Sequence, residues 1–251
     1  MEISTKSLVL SLLLLPASAF PQSTVPPGTV LPLQLNSSFN SLKSKPGQIV
    51  KARIMQDVPL TGRTHIRAGA KVVGHVEMVR AATNARPAQI TLRFETLNFG
   101  HQSIPISTSI RALASMMDVE DAQIPPSGPD RGTPWAWSTR TLIGGEVAYG
   151  EGGPVARGTQ IVGRALASGV LVPVQASSGA GCHGEIAGNS QPQAFWVFSS
   201  DACGVYGLAN VRIEHAGQTP PLGQITLTSK HGNVEISAGS GMLLRVNEAN
   251  P

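Results

Sequence analysis

Cys182 and Cys203 are the only thiols in a chain of 251 residues. Two such sulfurs can pair as a disulfide, remain free, or supply a thiolate nucleophile. A nucleophile needs a base beside it. His183 is next in sequence to Cys182, but neighbouring side chains on a strand point to opposite faces, so adjacency alone does not pair them. A disulfide is the expected state if the chain is exported, because oxidising compartments let one persist. Asp118, Glu120 and Asp121 form an acidic cluster, and two carboxylates held across a cleft can hydrolyse glycosides. Packed this closely at a junction between a strand and a linker, they read as a solvated turn. The six histidines, at 65, 75, 101, 183, 215 and 231, show no H-x-x-x-H, H-E-x-x-H or cysteine-paired spacing. No metal ligands and no cofactor are therefore expected. G-x-S-x-G and S-x-x-K are missing, and the Gly-rich stretch 143–153 lacks the Lys-Ser/Thr of a phosphate-binding loop. No residue is assigned a catalytic role, and a hydrolase is the least favoured function. Aromatic side chains offer a different chemistry: Trp135 and Trp137 are candidate binding residues for a sugar or peptide. Read as a strand, Ala194 to Phe198 puts Trp196 and Phe198 on one face and Phe195 and Val197 on the other, with one pair in the core.

The elements that would hold these residues read as strands. Gly and Pro are abundant (27 and 19), while aromatic residues make up 4% and charged residues 14%, a composition of short strands and tight turns. Val50, Ala52 and Ile54 alternate with Lys51 and Arg53. Val72, Gly74, Val76 and Met78 alternate with His75 and Glu77, and Ile90, Leu92 and Phe94 with Thr91, Arg93 and Glu95. Each pattern is a half-buried strand with one wet face. The same period returns at Val211 and Ile213, at Ile225 and Leu227, at Val234 and Ile236, and at Met242, Leu244 and Val246. The expected fold is all-β: a small antiparallel barrel or sandwich over 28–117, a Gly/Pro-rich insertion or linker over 118–160, and a C-terminal β meander over 161–251 that contains the cysteines. Whether the two β regions make one barrel or two stays open.

Residues 1–19 have the form of a signal peptide: Lys6, an apolar run from Leu8 to Leu15, and Ala17-x-Ala19 ahead of the cut. Residues 20–27 would then be an extended tether. The apolar run is too short for a stable membrane anchor, and no later segment is apolar enough to span a bilayer. The expected destination is the periplasm or the exterior. Charge is unevenly shared: residues 23–117 carry 11 Lys and Arg against 3 Asp and Glu, whereas residues 118–251 carry 7 against 11. The basic half could attract an anionic partner, or its cations could simply solvate strand faces. They are interleaved with apolar residues and lack an aromatic stacking platform, so nucleic acid is not the expected partner.

Three stretches occur in the order seen in one known family: Val25-Pro26-Pro27-Gly28-Thr29-Val30-Leu31-Pro32, then Pro46 to Val58, which ends in Asp57-Val58, then Ile66-Arg67-Ala68-Gly69 running to Gly74-His75-Val76. Together they resemble the β-barrel domain of TrbI-type conjugal transfer channel proteins over about residues 25–115, with Ala238 to Val246 as a candidate closing strand. The resemblance implies a barrel fold and a part in envelope secretion machinery. TrbI-type proteins also carry an inner-membrane helix and a long Pro-rich spacer, which this chain replaces with a signal segment and a short tether. The expectation is a non-enzymatic exported module that binds or assembles with a cell-envelope protein or polymer, or with copies of itself. The alternative is a carbohydrate- or peptide-binding module that uses Trp135 and Trp137.

Overall fold

The computed structural model describes residues 25–62, 64–125, 139–176, 182 and 188–248. It opens with β1 (Val30–Leu35), β2 (Phe39–Asn40), β3 (Ile49–Ile54), β4 (Val58–Pro59), β5 (His65–Ile66), β6 (Lys71–Arg80), β7 (Ala88–Phe99), β8 (Gln102–Pro105) and β9 (Thr108–Ala114). A short helix follows, α1 (Met116–Gln123), whose N-cap Ser115 accepts from the Asp118 N–H. Next come β10 (Thr139–Thr141), β11 (Val147–Tyr149), β12 (Pro154–Arg157), β13 (Gln160–Leu166), β14 (Gly169–Val174) and β15 (Asn189–Ala194). The remaining strands are β16 (Gly204–Tyr206), β17 (Val211–His215), β18 (Gln224–Ser229), β19 (Glu235–Ile236) and β20 (Gly241–Val246).

Ten strands share one sheet in the order β16-β9-β20-β1-β3-β6-β7-β18-β17, with β8 beside β7. The pairings are antiparallel except β16 on β9. Its two end strands follow one another in the chain, and the Ile110 N–H reaches across to the Ala216 carbonyl at 2.9 Å. The sheet is thus a nearly closed barrel, a solution that removes most exposed edges. The alternation read from the sequence lines its interior: Leu31, Leu33, Val50, Ile54, Leu92 and Phe94 all point into one core. Met78 departs from it. A register shift between Val76 and Met78 flips the parity, and Met78 turns outward at 41% exposure. Another shift falls between Val73 and Gly74, where β6 and β7 approach so closely that a Cβ on Gly74 would lie 2.0 Å from the Arg93 carbonyl oxygen.

β10 to β15 form a second, six-stranded antiparallel sheet in sequence order. It is inserted between β9 and β16 and packs against the outside of the barrel. Val30, Ala112, Ala114 and Leu243 face outward from β1, β9 and β20, and they share a core with Phe195, Trp196 and Phe198. β9 is therefore buried along both faces. The chain downstream of 160 divides between the two units: β13 to β15 belong to the second sheet, while β16, β17, β18 and β20 complete the barrel. Within 118–160, the described residues hold most of α1 and strands β10, β11 and β12. The stretch Ala194 to Phe198 is not the strand its alternation suggested. β15 stops at Ala194, the chain turns at Trp196 with φ 54, and Phe195, Trp196, Val197 and Phe198 are all buried. Of the tether, Val25 packs into the barrel core and the Gly28 N–H binds the Val246 carbonyl at 2.8 Å. The segment 1–19 lies outside the described residues.

Candidate functional site

The second sheet covers only part of the barrel wall. Among the described residues, the core shared with the second sheet draws on β1, β9 and β20 of the barrel, and on the outward side of β3, β6, β7, β18 and β17 the register places polar residues in rows. At one end a row runs Gln34, Arg53, Lys71, Asn98, with Arg53 directly opposite Lys71. Lys51 lies two residues along β3 on the same exposed face. Like charges directly opposite on adjacent strands are destabilising, so this arrangement costs the fold a small amount. In the middle of the wall the charges are matched: Arg93 Nε sits 2.7 Å from Glu77 Oε1, and His75 Nδ1 sits 3.1 Å from Glu95 Oε1. At the other end a row runs Arg80, Gln89, Thr228, Arg212. The wall is neutralised at its centre and cationic at both ends.

Burial on its own lifts the Glu77 carboxyl, but hydrogen bonds from Arg93 and Gln224, with the positive charges of Arg93 and His75, outweigh it. The net effect holds Glu77 below its ordinary value. A carboxyl depressed in the folded state stabilises above its unfolded pKa, and that stability disappears as pH falls through the folded pKa. Glu77→Gln should melt below the parent near neutral pH, with the gap narrowing as acid protonates Glu77 in the parent. Melting curves on both proteins across that range give the answer; a gap that ignores pH would refute the assignment.

Cys182 and Cys203 are bonded, with their Cα atoms 5.0 Å apart. Cys203 stands directly before β16, and its N–H donates to the Tyr206 hydroxyl at 3.1 Å. Burial, with the nearby charge of Asp201, raises the Tyr206 phenol above its usual value despite the Cys203 hydrogen bond and the Arg111 charge. The crosslink pins the strand that sits at the barrel seam. Replacing both cysteines with serine should cost about 3 kcal/mol for a loop of this length. That corresponds to a melting temperature lower by roughly 6–12 °C in a chain of this size, and reduction of the parent should reproduce it in calorimetry.

The remaining residues singled out by type do not converge. His183, Trp135 and Trp137 lie outside the described residues. Asp118 is half-buried on α1, whereas Glu120 and Asp121 are exposed; their carboxylates belong to a helix and not to an open turn. His65 lies 3.6 Å from Asp57, and His215 Nδ1 lies 3.2 Å from Thr219 Oγ1. Among the described residues no group of three or more His, Cys, Asp or Glu could hold a metal ion, and no helix is long and apolar enough to cross a membrane.

Two buried polar residues that alternation gives no reason to notice, Gln56 and Arg111, tie the two units together, and a third, Glu146, braces the second unit internally. Gln56, just beyond β3, hydrogen-bonds the backbone of Val170 and Trp196 in the second unit. Arg111, in the doubly buried β9, donates to the carbonyls of Ala202, Gln175 and Ser200. Glu146 accepts from Ser200 and Arg157. A cation inside the otherwise small and apolar stretch Ile110 to Ala114 was the available signal for Arg111. Concavities are shallow: about 260 Å³ by Lys43 and Glu235, about 360 Å³ by Asp118 and Tyr206, and about 420 Å³ between the β6–β7 connection and residues 229–232. Comparison with known proteins gives no match, whether to a family model, a curated protein or a solved structure.

Proposed function

We propose that this protein is a non-enzymatic, exported module of the cell envelope that binds or assembles with an anionic envelope partner through the open wall of its barrel. The observation that supports this reading is the charge layout. The second sheet packs on β1, β9 and β20, while the rest of the wall carries Lys51, Arg53 and Lys71 at one end and Arg80 and Arg212 at the other, with the acids Glu77 and Glu95 engaged between them. The paired Cys182 and Cys203 fit export through the 1–19 segment, since such bonds persist in oxidising compartments. The TrbI-like order of motifs makes a secretion-channel assembly the first partner class to test.

The test is co-sedimentation of the purified protein with envelope fractions at rising salt, beside Lys51→Glu/Arg53→Glu/Lys71→Glu. All three side chains are exposed, so the variant should fold and melt like the parent. Parent binding that weakens steeply with salt, together with a variant left in the supernatant, supports the reading. Equal behaviour of the two proteins, or no binding at low salt, sinks it. Light scattering on a sizing column then separates a ring-sized assembly from a monomeric binder.

A further inference from the structure

The largest of the three concavities lies at the far end of the open wall, where two connections meet. One is the 81–87 link between β6 and β7, folded back on itself: the Thr83 N–H binds the Arg86 carbonyl at 2.9 Å, and the Arg86 N–H binds the Thr83 carbonyl at 3.3 Å and Thr83 Oγ1 at 3.1 Å. The other is the turn after β18, fixed by the Lys230 N–H on the Asn210 carbonyl at 2.9 Å and by Ser229 Oγ on the His231 carbonyl at 2.8 Å. Asn233 clamps the two together, its Oδ1 accepting from the Ala82 N–H at 3.3 Å and from Ser41 Oγ at 3.1 Å. Both lips of the cleft are thus held by the fold.

The lining is one-sided in charge. Arg86, Lys230 and His231 contribute every ionisable side chain, and no Asp or Glu is among the lining residues. All three side chains are exposed, and none makes a hydrogen bond or ion pair with another described residue. The backbone adds to this. Gly232 has φ +69 after a residue of negative φ, and a Cβ there would meet nothing within 4 Å. The N–H groups of His231, Gly232 and Asn233 have no acceptor among the described residues. A residue of negative φ followed by a left-handed one is the backbone order found in anion-binding nests, in which successive N–H groups point toward one ligand. Arg80 and Arg212 stand on the adjacent outward row, three strand spacings or roughly 14 Å apart, with Glu214 engaged by the Thr228 hydroxyl.

We propose that this cleft is a binding site for a phosphoryl group, with the Arg86 guanidinium, the Lys230 ammonium and the N–H groups of the 231–233 turn as its ligands. The donor inventory selects phosphate over a carboxylate. Two neighbouring cations, one a guanidinium fork and one an ammonium, together with backbone N–H groups, match a dianion of three oxygens better than the single charge and two oxygens of a carboxylate. A phosphate monoester presents three oxygens and a charge approaching −2. The proposal deepens the reading of an anionic partner, yet the site lies at the opposite end of the wall from Lys51, Arg53 and Lys71, so the two can fail separately.

The experiment titrates the full-length, disulfide-bonded protein with inorganic phosphate by calorimetry and by thermal shift, since a ligand that binds the native state raises its melting temperature. Chloride at matched ionic strength is the control. Phosphate should bind saturably, and Arg86→Ala/Lys230→Ala should weaken it about tenfold or more while melting unchanged without phosphate. Lys51→Glu/Arg53→Glu/Lys71→Glu should bind phosphate like the parent even if it no longer binds envelope fractions. Neutral vesicles doped with a phosphate-monoester lipid, with phosphate as competitor, distinguish the source: competitive vesicle binding identifies a lipid headgroup, and phosphate binding without vesicle binding identifies a soluble phosphate ester. No saturable response, a response matched by chloride, or parent-like affinity in Arg86→Ala/Lys230→Ala would overturn the proposal.

Discussion

Gln56→Leu should destabilise the protein by about 3–6 kcal/mol, the sum of three buried backbone groups left without partners at roughly 1–3 kcal/mol each, reduced by local relaxation. Gln56 is completely buried, and its amide acts like a peptide unit of a missing strand. Nε2 donates to the Val170 carbonyl at 2.8 Å, while Oε1 accepts from the Val170 N–H at 3.1 Å and the Trp196 N–H at 2.7 Å. Leucine keeps most of the volume and removes all three bonds. Trp196 sharpens the expectation, because it is the one non-glycine residue of positive φ among those described, a conformation that persists only when its surroundings enforce it. Gly169 allows the approach: a Cβ there would fall 2.2 Å from Gln56 Oε1. Denaturant unfolding measures the loss, and near-ultraviolet circular dichroism should show a changed tryptophan environment. A loss below about 1 kcal/mol would mean that water or a shifted backbone replaces the amide.

Glu146→Leu should cost about 3–5 kcal/mol, the range for breaking a buried ion pair from one side. The Glu146 side chain is 1% exposed; Oε1 takes Arg157 at 2.7 Å and Ser200 Oγ at 2.5 Å, and Oε2 takes the Ser200 N–H at 2.8 Å. The low end of the range is the better expectation, because Arg157 is 38% exposed and keeps Asp201 at 3.2 Å. Adding Arg157→Met to Glu146→Leu should cost less than the two single changes summed, since the second removes a charge the first has already stranded. Strict additivity in this cycle would show that the pair is not coupled.

The barrel was legible because most of its strands follow one rule: one side meets a core and the other is polar, and β3 spells that out residue by residue while β6 follows it as far as Val76. The rule broke where both sides are buried. β9 and β20 contact two cores, and from sequence alone nothing distinguishes a second protein surface from solvent beyond a Ser or an Ala. Ala194 to Phe198 failed for a related reason. A run of large apolar residues alternates trivially, and at the turn the Trp196 N–H donates to Gln56 Oε1, 140 residues away in sequence. The cysteine pairing was readable from there being two cysteines and from the expectation of export, whereas the cationic cleft joins Arg86 to Lys230 through β-strand pairing that no local pattern encodes. Met78 turned outward because a bulge shifts parity, and the residues around it gave no sign of the extra position.

The position of β20 bears on how the molecule is made. It lies between β1 and β9, pairing Val30 with Arg245 and Ala114 with Gly241, so the strand that joins the two halves of the wall is the last of the described strands to be synthesised. Until it arrives, β1 and β9 each present an unpaired edge, and the whole six-stranded insertion must be accommodated while the wall is still split. Such long-range pairing slows folding and leaves sticky edges open in the meantime. A chain delivered in an unfolded state would therefore pass through a vulnerable window whose length is set by the arrival of residues 241–246, and nascent-chain aggregation should fall abruptly once that hexapeptide is included.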